Sequence, residues 1–421
     1  MMNMKKNTIL VAALALSLAA CNNTPKQDGW VEHALDVASC QLKSTAEELT
    51  GTNQIPRSMY AGYDLNFLDS QLQREDKSYI DSLHPNPSAQ KLKQKYLCGI
   101  EDWTSGFFPG SLWYTYEMTG DEELKARATQ YTNLLNPVRR LKNTHDVGFM
   151  INCSYGNALR LSPNDTIKAV ILETADNLCS RFNPEIGCIR SWDFGEWNFP
   201  VIIDNMMNLD LLFNASKLSG DSKYYDVAVK HAQTTMKNHF RPDYTSYHLV
   251  SYNNDGTVEK RQTHQGKNDE SAWSRGQAWG VYGYTSCYRE TKDTTFLQEA
   301  VNIADMIMKR VNNGDCIPYW DYDAPAGEAT PRDASAAAIT ASAMLELSTL
   351  APNGKKYFDY AETILKNLSS DSYLAVKGGN QGFVLMHSTG SLPHGSEIDV
   401  PLNYADYYYL EALQRYKNLT K

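Results

Sequence analysis

Hydrophobic positions along the chain come in paired stretches. Within a stretch they recur three and four residues apart, as in Leu297, Ala300, Val301, Ala304, Ile307 and Met308, the spacing of one buried helical face. Each stretch ends at a Gly, Asp, Asn or Pro break, and a second stretch follows. Residues 112–118 lead through Thr119-Gly120-Asp121 into 122–135, and 151–161 through Ser162-Pro163-Asn164-Asp165 into 166–182. Residues 206–218 lead through Ser219-Gly220-Asp221 into 223–238, and 279–290 through Thr291-Lys292-Asp293 into 296–311. The last pair is 334–350 and 356–368, joined through Pro352-Asn353-Gly354. The second helix of each pair opens after a residue of N-capping type, and the first stops at a breaker.

Five hairpins with a period of roughly 45–70 residues describe a repeat architecture. Two further helical stretches, 30–49 and 404–416, lie at opposite ends of the chain. Pairing them makes a sixth hairpin and closes a ring, which buries both ends. The predicted fold is all-α, a six-hairpin toroid, with an open helical solenoid as the alternative. In a ring the connections at one rim converge on a central pocket, so chemistry is expected in the long links between hairpins. A chain of 421 residues would otherwise suggest two or three domains; the repeat gathers 29–421 into one.

The first residues stand apart. Lys5 and Lys6 precede an apolar run at 9–18 that is too short to span a bilayer, so 1–20 reads as a secretory leader. Leu18-Ala19-Ala20-Cys21 resembles a bacterial lipoprotein cleavage site, which predicts lipidation of Cys21 and a polar tether to residue 28. An ordinary signal peptide containing a Cys is the alternative. The expected product is a periplasmic or outer-membrane-attached lipoprotein, touching the membrane only through its lipid and otherwise monomeric.

Composition narrows the partners. The formal charge is −9, and losing Lys5 and Lys6 with the leader takes it to −11. No basic field exists to gather phosphates, so a nucleic-acid partner is excluded. Aromatic residues make up 11%, including 26 Tyr and 8 Trp, a supply suited to stacking sugar-like ligands. The cysteines beyond Cys21 are dispersed without a C-x-x-C pair, against a zinc ribbon or a redox motif. Cys40, Cys153, Cys179 and Cys287 read as buried thiols, although Cys179 and Cys188 are near enough to pair across a loop.

Four connections carry unusual residues. D-W-T-S-G-F-F-P-G at 102–110 presents Trp103 either to a sugar face or as a staple under the rim. T-H-D-V-G-F-M at 144–150 places Asp146 ahead of a helix, as an acid or as an N-cap. In the third, Asp204 follows Val201, Ile202 and Ile203 and precedes Met206 and Met207. Desolvation there raises a carboxyl pKa, which suits a general acid, with helix capping again the alternative. The fourth holds His248, Thr263-His264-Gln265-Gly266 and 271–279. Arg275 and Trp279 lie four apart, so a guanidinium and an indole share one helical face. That pairing fits a planar anionic ring, or a structural Arg packed on a core Trp. His231 and His239 read as surface residues. Nucleophile-elbow, zincin, Walker and dinucleotide motifs are absent from the sequence, and neither a metal nor an organic cofactor is expected.

Taken in order with R-D-A-S-A at 332–336 and Y-A-D-Y-Y-Y-L-E-A-L at 404–413, these segments resemble glycoside hydrolase family 88. That family comprises the unsaturated glucuronyl hydrolases, which act on the products of polysaccharide lyases. The resemblance covers the chain beyond the tether and implies an (α/α)6 barrel. It implies that Asp204 is the general acid/base and Asp146 the second essential acid. Trp103, His248, Gln265, Arg275 and Trp279 match substrate-contacting positions, Arg275 and His248 being expected to offset the acidic chain locally. The implied reaction protonates C4 of a 4,5-unsaturated uronic acid and adds water at C5, without attack at the anomeric carbon. The polar loop 387–396 is expected to line the aglycone side, or to be a plain surface connection. Three other readings stand beside this one: an unsaturated rhamnogalacturonyl hydrolase, a barrel epimerase or ordinary glycosidase, and a non-catalytic glycan-binding lipoprotein.

Overall fold

The computed structural model describes residues 29–421. The predicted leader, Cys21 and the tether lie outside the described residues. The helices, in order, are α1 (Trp30–Glu48), α2 (Leu65–Leu72), α3 (Phe107–Thr119), α4 (Glu122–Leu134), α5 (Val147–Ile151), α6 (Asn157–Leu161) and α7 (Asp165–Cys179). They continue as α8 (Leu209–Ser219), α9 (Ser222–Asn238), α10 (Ser274–Thr291), α11 (Thr294–Arg310), α12 (Ala334–Leu350), α13 (Lys355–Leu368) and α14 (Asn403–Leu419).

All five predicted hairpins form. Asp121, Asn164, Asp221 and Asp293 each cap the second helix of a pair by accepting a backbone N–H from its first turn. Gly120 and Gly220 end α3 and α8 in the left-handed conformation that a Cβ disfavours. An inner ring runs α3, α5–α6, α8, α10, α12, α14, and α14 packs back on α3. The first and last described helices meet as expected: the Trp30 ring of α1 lies 5.2 Å from the Tyr416 ring of α14, centroid to centroid. The closed (α/α)6 barrel therefore holds, and the open solenoid does not.

Inner and outer helices solve different burial problems. Outer helices such as α11 bury one stripe, including Phe296, Ala300, Ile303, Ala304 and Ile307. Inner helices are covered on nearly every side. α12 buries an almost unbroken run from Ala334 to Leu345, and its small residues let α10 and α14 approach closely.

Two departures from the predicted helices bear on function. The stretch 147–161 is interrupted by a π-helical turn at Asn152–Gly156, and the start of 206–218 is instead a 3-10 turn, Ile203–Asn208. Short strands also appear that helical spacing did not predict. β1 (Ile55–Met59) pairs with β2 (Lys95–Cys98), and β3 (Phe182–Asn183) with β4 (Cys188–Ile189). β5 (Pro200–Ile202), β6 (Leu249–Tyr252) and β7 (Val258–Gln262) form one antiparallel sheet.

His231 and His239 are not on the surface. Both are fully buried in the region of α9, and they tie strands to it. His231 Nδ1 accepts from the Ile189 N–H at 3.0 Å, and His239 Nε2 lies 3.1 Å from the Val201 carbonyl. Burial pushes their pKa values down to about 3 and about 4, so both are neutral. Cys179 and Cys188 do not pair; both are free thiols. Cys188 is instead buried in β4, within the cluster that holds Phe199, Val250 and Tyr252.

Candidate active site

The sheet β5–β6–β7 explains why residues far apart in sequence converge. Asp204 lies just beyond β5, His248 immediately precedes β6, and Thr263-His264-Gln265 leaves β7. The Ile203 N–H donates to the His248 carbonyl at 3.0 Å, which closes the register beside Asp204.

A second link places Asp146. The Oδ1 of Asn208, at the end of the same 3-10 turn, accepts from the Phe149 N–H at 2.8 Å. Gly148 makes room for that contact, because a Cβ there would stand 2.3 Å from Asn208 Oδ1. The glycine of H-D-V-G-F thus docks the first turn of α5 on the segment that carries Asp204.

Neither acid is a helix cap. Asp146 occupies the N-cap position of α5, but its side chain accepts no bond from that helix. Its Oδ2 accepts from the Thr144 hydroxyl at 2.8 Å, and its Oδ1 lies 3.2 Å from His145 Nε2. Asp204 makes no capping bond either, and its Oδ2 is buried without a hydrogen-bond partner.

Their environments drive the two carboxyls apart. Burial raises the Asp204 pKa from 3.8 to about 6, opposed by His145 and Arg275 and reinforced by the negative charge of Asp146. Burial also works against ionisation of Asp146, but His145, the Thr144 hydroxyl and Arg181 outweigh it and hold the group below its usual value. One carboxyl is poised to carry a proton and the other to stay charged, a division of labour that assigns acid and base roles.

Both acids line a cavity of about 710 Å³, together with Trp103, Gln265 and Arg275. Trp103 packs its ring on Phe107, Phe149 and Tyr404 while remaining part-exposed, so the staple and the ligand-facing wall are one residue. His248 lies just behind the wall. Its Nδ1 accepts from the backbone N–H groups of His264 at 2.9 Å and Gln265 at 3.1 Å. Burial holds the ring neutral, well below the ordinary histidine pKa. His248 therefore supplies no positive charge, contrary to expectation.

Arg275 is 1% exposed and already paired. Its Nη1 donates to Asp333 at 2.8 Å and to the Thr389 carbonyl at 2.7 Å, and its Nη2 to the Gly390 carbonyl at 2.6 Å. Only Nε lacks a partner. The guanidinium stacks 4.4 Å over Trp273 rather than sharing space with Trp279. The structure does not bring Trp279 to the cavity: it is fully buried, packed on Phe149 and Tyr408 one layer below. From the loop 387–396, Gly390, Ser391, His394 and Ser396 reach the wall.

Residues 75–418 match the profile described as Glycosyl Hydrolase Family 88. The chain belongs to this family of glycoside hydrolases. Residues 4–74 match a second profile, described as a domain of unknown function. Over 427 residues the chain is 42% identical to an unsaturated glucuronyl hydrolase of Formosa agariphila, with 99% of each chain covered. It is 32% identical over 354 residues to an unsaturated chondroitin disaccharide hydrolase of Streptococcus agalactiae, covering 80% of this chain and 87% of the other. The crystal structure of an unsaturated glucuronyl hydrolase specific for heparin superposes with a TM-score of 0.83 at 47% identity, covering 93% of this chain and 98% of that one.

Several wall residues of this family 88 chain carry no signal of their own in the sequence. Arg57 and Glu397 are 340 residues apart and pair through Nε at 2.7 Å and Nη2 at 3.0 Å. No local pattern announces such a pair before the ring closes. His145 adjoins Asp146, and His264 sits in the T-H-Q-G segment. Trp192 opens the connection that leads to Asp204, so proximity to named motifs was the available signal for these three.

Proposed function

We propose that the protein releases the 4,5-unsaturated uronic acid from the non-reducing end of lyase-generated glycosaminoglycan oligosaccharides. The observation that carries this reading is the opposed pair in one cavity, Asp204 raised to about 6 and Asp146 lowered. The substrate is an enol ether in which the ring oxygen feeds electrons to C4. Asp204 donates its proton to C4, and positive charge develops on C5 and the ring oxygen. Water adds at C5 and returns a proton to the Asp204 carboxylate. The hemiketal opens to a C5 ketone, leaving a C1 hemiacetal that expels the aglycone as an alcohol. Asp146, held ionised, orients substrate hydroxyls or the water and stabilises the developing cation. Displacement at the anomeric carbon by a carboxylate or an activated water, as in ordinary glycoside hydrolysis, has no place in this scheme.

The relatives named for chondroitin and for heparin support the polymer class and leave the +1 sugar to be chosen by assay. Incubation with unsaturated disaccharides from chondroitin, hyaluronan and heparin, beside a saturated control, should consume the double-bond absorbance for at least one of the three. Asp204→Asn and Asp146→Asn should each lower kcat by about 10²–10⁴. Turnover of the saturated control, or near-normal turnover by either variant, overturns the reading. An unsaturated rhamnogalacturonyl disaccharide in the same panel tests the neighbouring specificity.

For the cell, the reading is a lipid-anchored periplasmic or outer-membrane-attached enzyme, supported by the small residues that directly precede Cys21. Incorporation of labelled palmitate that disappears in Cys21→Ala tests it; equal labelling of the variant refutes it.

A further inference from the structure

The catalytic cavity has a neighbour. A cavity of about 620 Å³ shares Arg57, His84, Ser396 and Glu397 with it, within the size range of small-ligand sites. The shared wall is braced, since Arg57 spends its donors on Glu397 and on Asp102 at 2.5 Å. The second cavity does not include Asp204 and is lined along the paired strands β1 and β2. Tyr60 and Tyr96 stand there with ring centroids 4.9 Å apart and planes inclined at 37°. The pairing continues past the strand end: the Tyr60 N–H donates to Gln94 O and the Lys93 N–H to Tyr60 O. Both rings are part-exposed, and their hydroxyls make no hydrogen bond among the described residues. The Lys91 ammonium lies 5.5 Å from the centroid of the Tyr60 ring and makes no ion pair among the described residues.

An aromatic pair beside an unneutralised cation, joined to a site that holds the end of an anionic sugar chain, suits the rest of that chain. We propose that this groove is a subsite for the reducing-side units of a longer unsaturated anionic oligosaccharide, with Tyr60 and Tyr96 as the stacking platform and Lys91 facing a carboxylate or sulfate. The inference rests on the activity proposed above and deepens it, by saying where the reducing-side units of its longer substrates are held. Arg57 and Tyr60 fall within 4–74, so that segment acquires a role in binding substrate.

The test compares an unsaturated disaccharide with an unsaturated tetrasaccharide of the same polymer. Tyr60→Ala should lower kcat/KM for the tetrasaccharide about 5- to 20-fold and Lys91→Ala about 3- to 5-fold, mainly through KM, the scales of one aromatic contact and of one exposed cation. Disaccharide turnover should stay within about twofold, which also reports that the variants are folded. Equal losses on both substrates, no loss on either, or failure of the unmodified enzyme to accept the tetrasaccharide overturns the subsite. A second arm measures tetrasaccharide binding to Asp204→Asn by calorimetry, with and without Tyr60→Ala. It separates the two ideas: absent turnover of every substrate refutes the reaction, whereas binding that ignores Tyr60→Ala refutes the groove.

Discussion

Nε2 of His248 faces Oδ2 of Asp204 at 3.6 Å, just beyond hydrogen-bond length, and neither atom has a hydrogen-bond partner. Because Nδ1 accepts two backbone N–H groups, the proton of this neutral ring sits on Nε2. His248 is thus a fixed donor aimed at the general acid. A shift of a few tenths of an ångström would let it bond the carboxylate that forms when Asp204 gives its proton away, without adding net charge to the wall. Replacing His248 with Ala should lower kcat about 10- to 1,000-fold, the scale of one preorganised donor. Loss of a donor to the charged form raises the Asp204 pKa, so the alkaline limb of the kcat profile should move to higher pH. His248→Gln should restore part of both effects. A kcat loss with an unmoved limb would identify a purely structural role.

The opposed carboxyls predict the shape of the pH profile. Asp204 works protonated, so kcat/KM should fall as pH rises through about 6. Asp146 works ionised and its pKa lies below 3.8, so the acidic limb should lie beneath the ordinary carboxylate range. Profiles of the free enzyme measured from about pH 3 to about pH 9 check both limbs. A plateau extending to about pH 8 would contradict Asp204 as the acid.

The same desolvation makes Asp204 a strained residue. Its folded pKa is raised, so its contribution to stability is fully present below the unfolded pKa near 3.8 and is lost as pH rises through about 6. A rise from 3.8 to about 6 sets an upper limit of about 3 kcal/mol on that contribution. Asp204→Asn removes the ionisation. The inactive variant should therefore melt higher than the parent at about pH 8, with the advantage disappearing by about pH 4. Equal melting temperatures at both pH values would show that the site does not store this strain.

How far the site was legible follows from this chemistry. Val201, Ile202 and Ile203 foretold the desolvation of Asp204, because burial beside branched apolar residues is a local property. The same run also marked the end of β5, a strand too short for its period to stand out among helices. Asp146 was not separable from an N-cap until the structure showed its oxygens bonded to Thr144 and His145. His248 stood out with the fourth connection, but its role came through resemblance alone, since its approach to Asp204 depends on sheet pairing. The spacing of Arg275 and Trp279 was real, yet α10 is covered on nearly every side, so a shared helical face did not mean a shared cavity. The hairpins were legible because their outer helices bury a single stripe and their caps are local. The Arg57–Glu397 wall was not, because only closure of the ring brings its halves together.

Gly148 offers the sharpest test of how the two acids are held in register. A methyl at this position must displace Asn208, whose Oδ1 would lie 2.3 Å from the added Cβ and would lose its bond from the Phe149 N–H. Asn208 shares the 3-10 turn of Asp204, and Phe149 shares the first turn after Asp146. Overpacking of this kind costs about 1–3 kcal/mol, so Gly148→Ala should fold with a lowered melting temperature. Its kcat should fall about 10- to 100-fold, as expected when catalytic groups are misplaced by an ångström. Asn208→Ala severs the same link from the other side. The double variant should therefore lose scarcely more activity than the worse single one, since both changes break one contact. Additive losses would show that the two positions act independently, and that the register of Asp146 against Asp204 is set elsewhere.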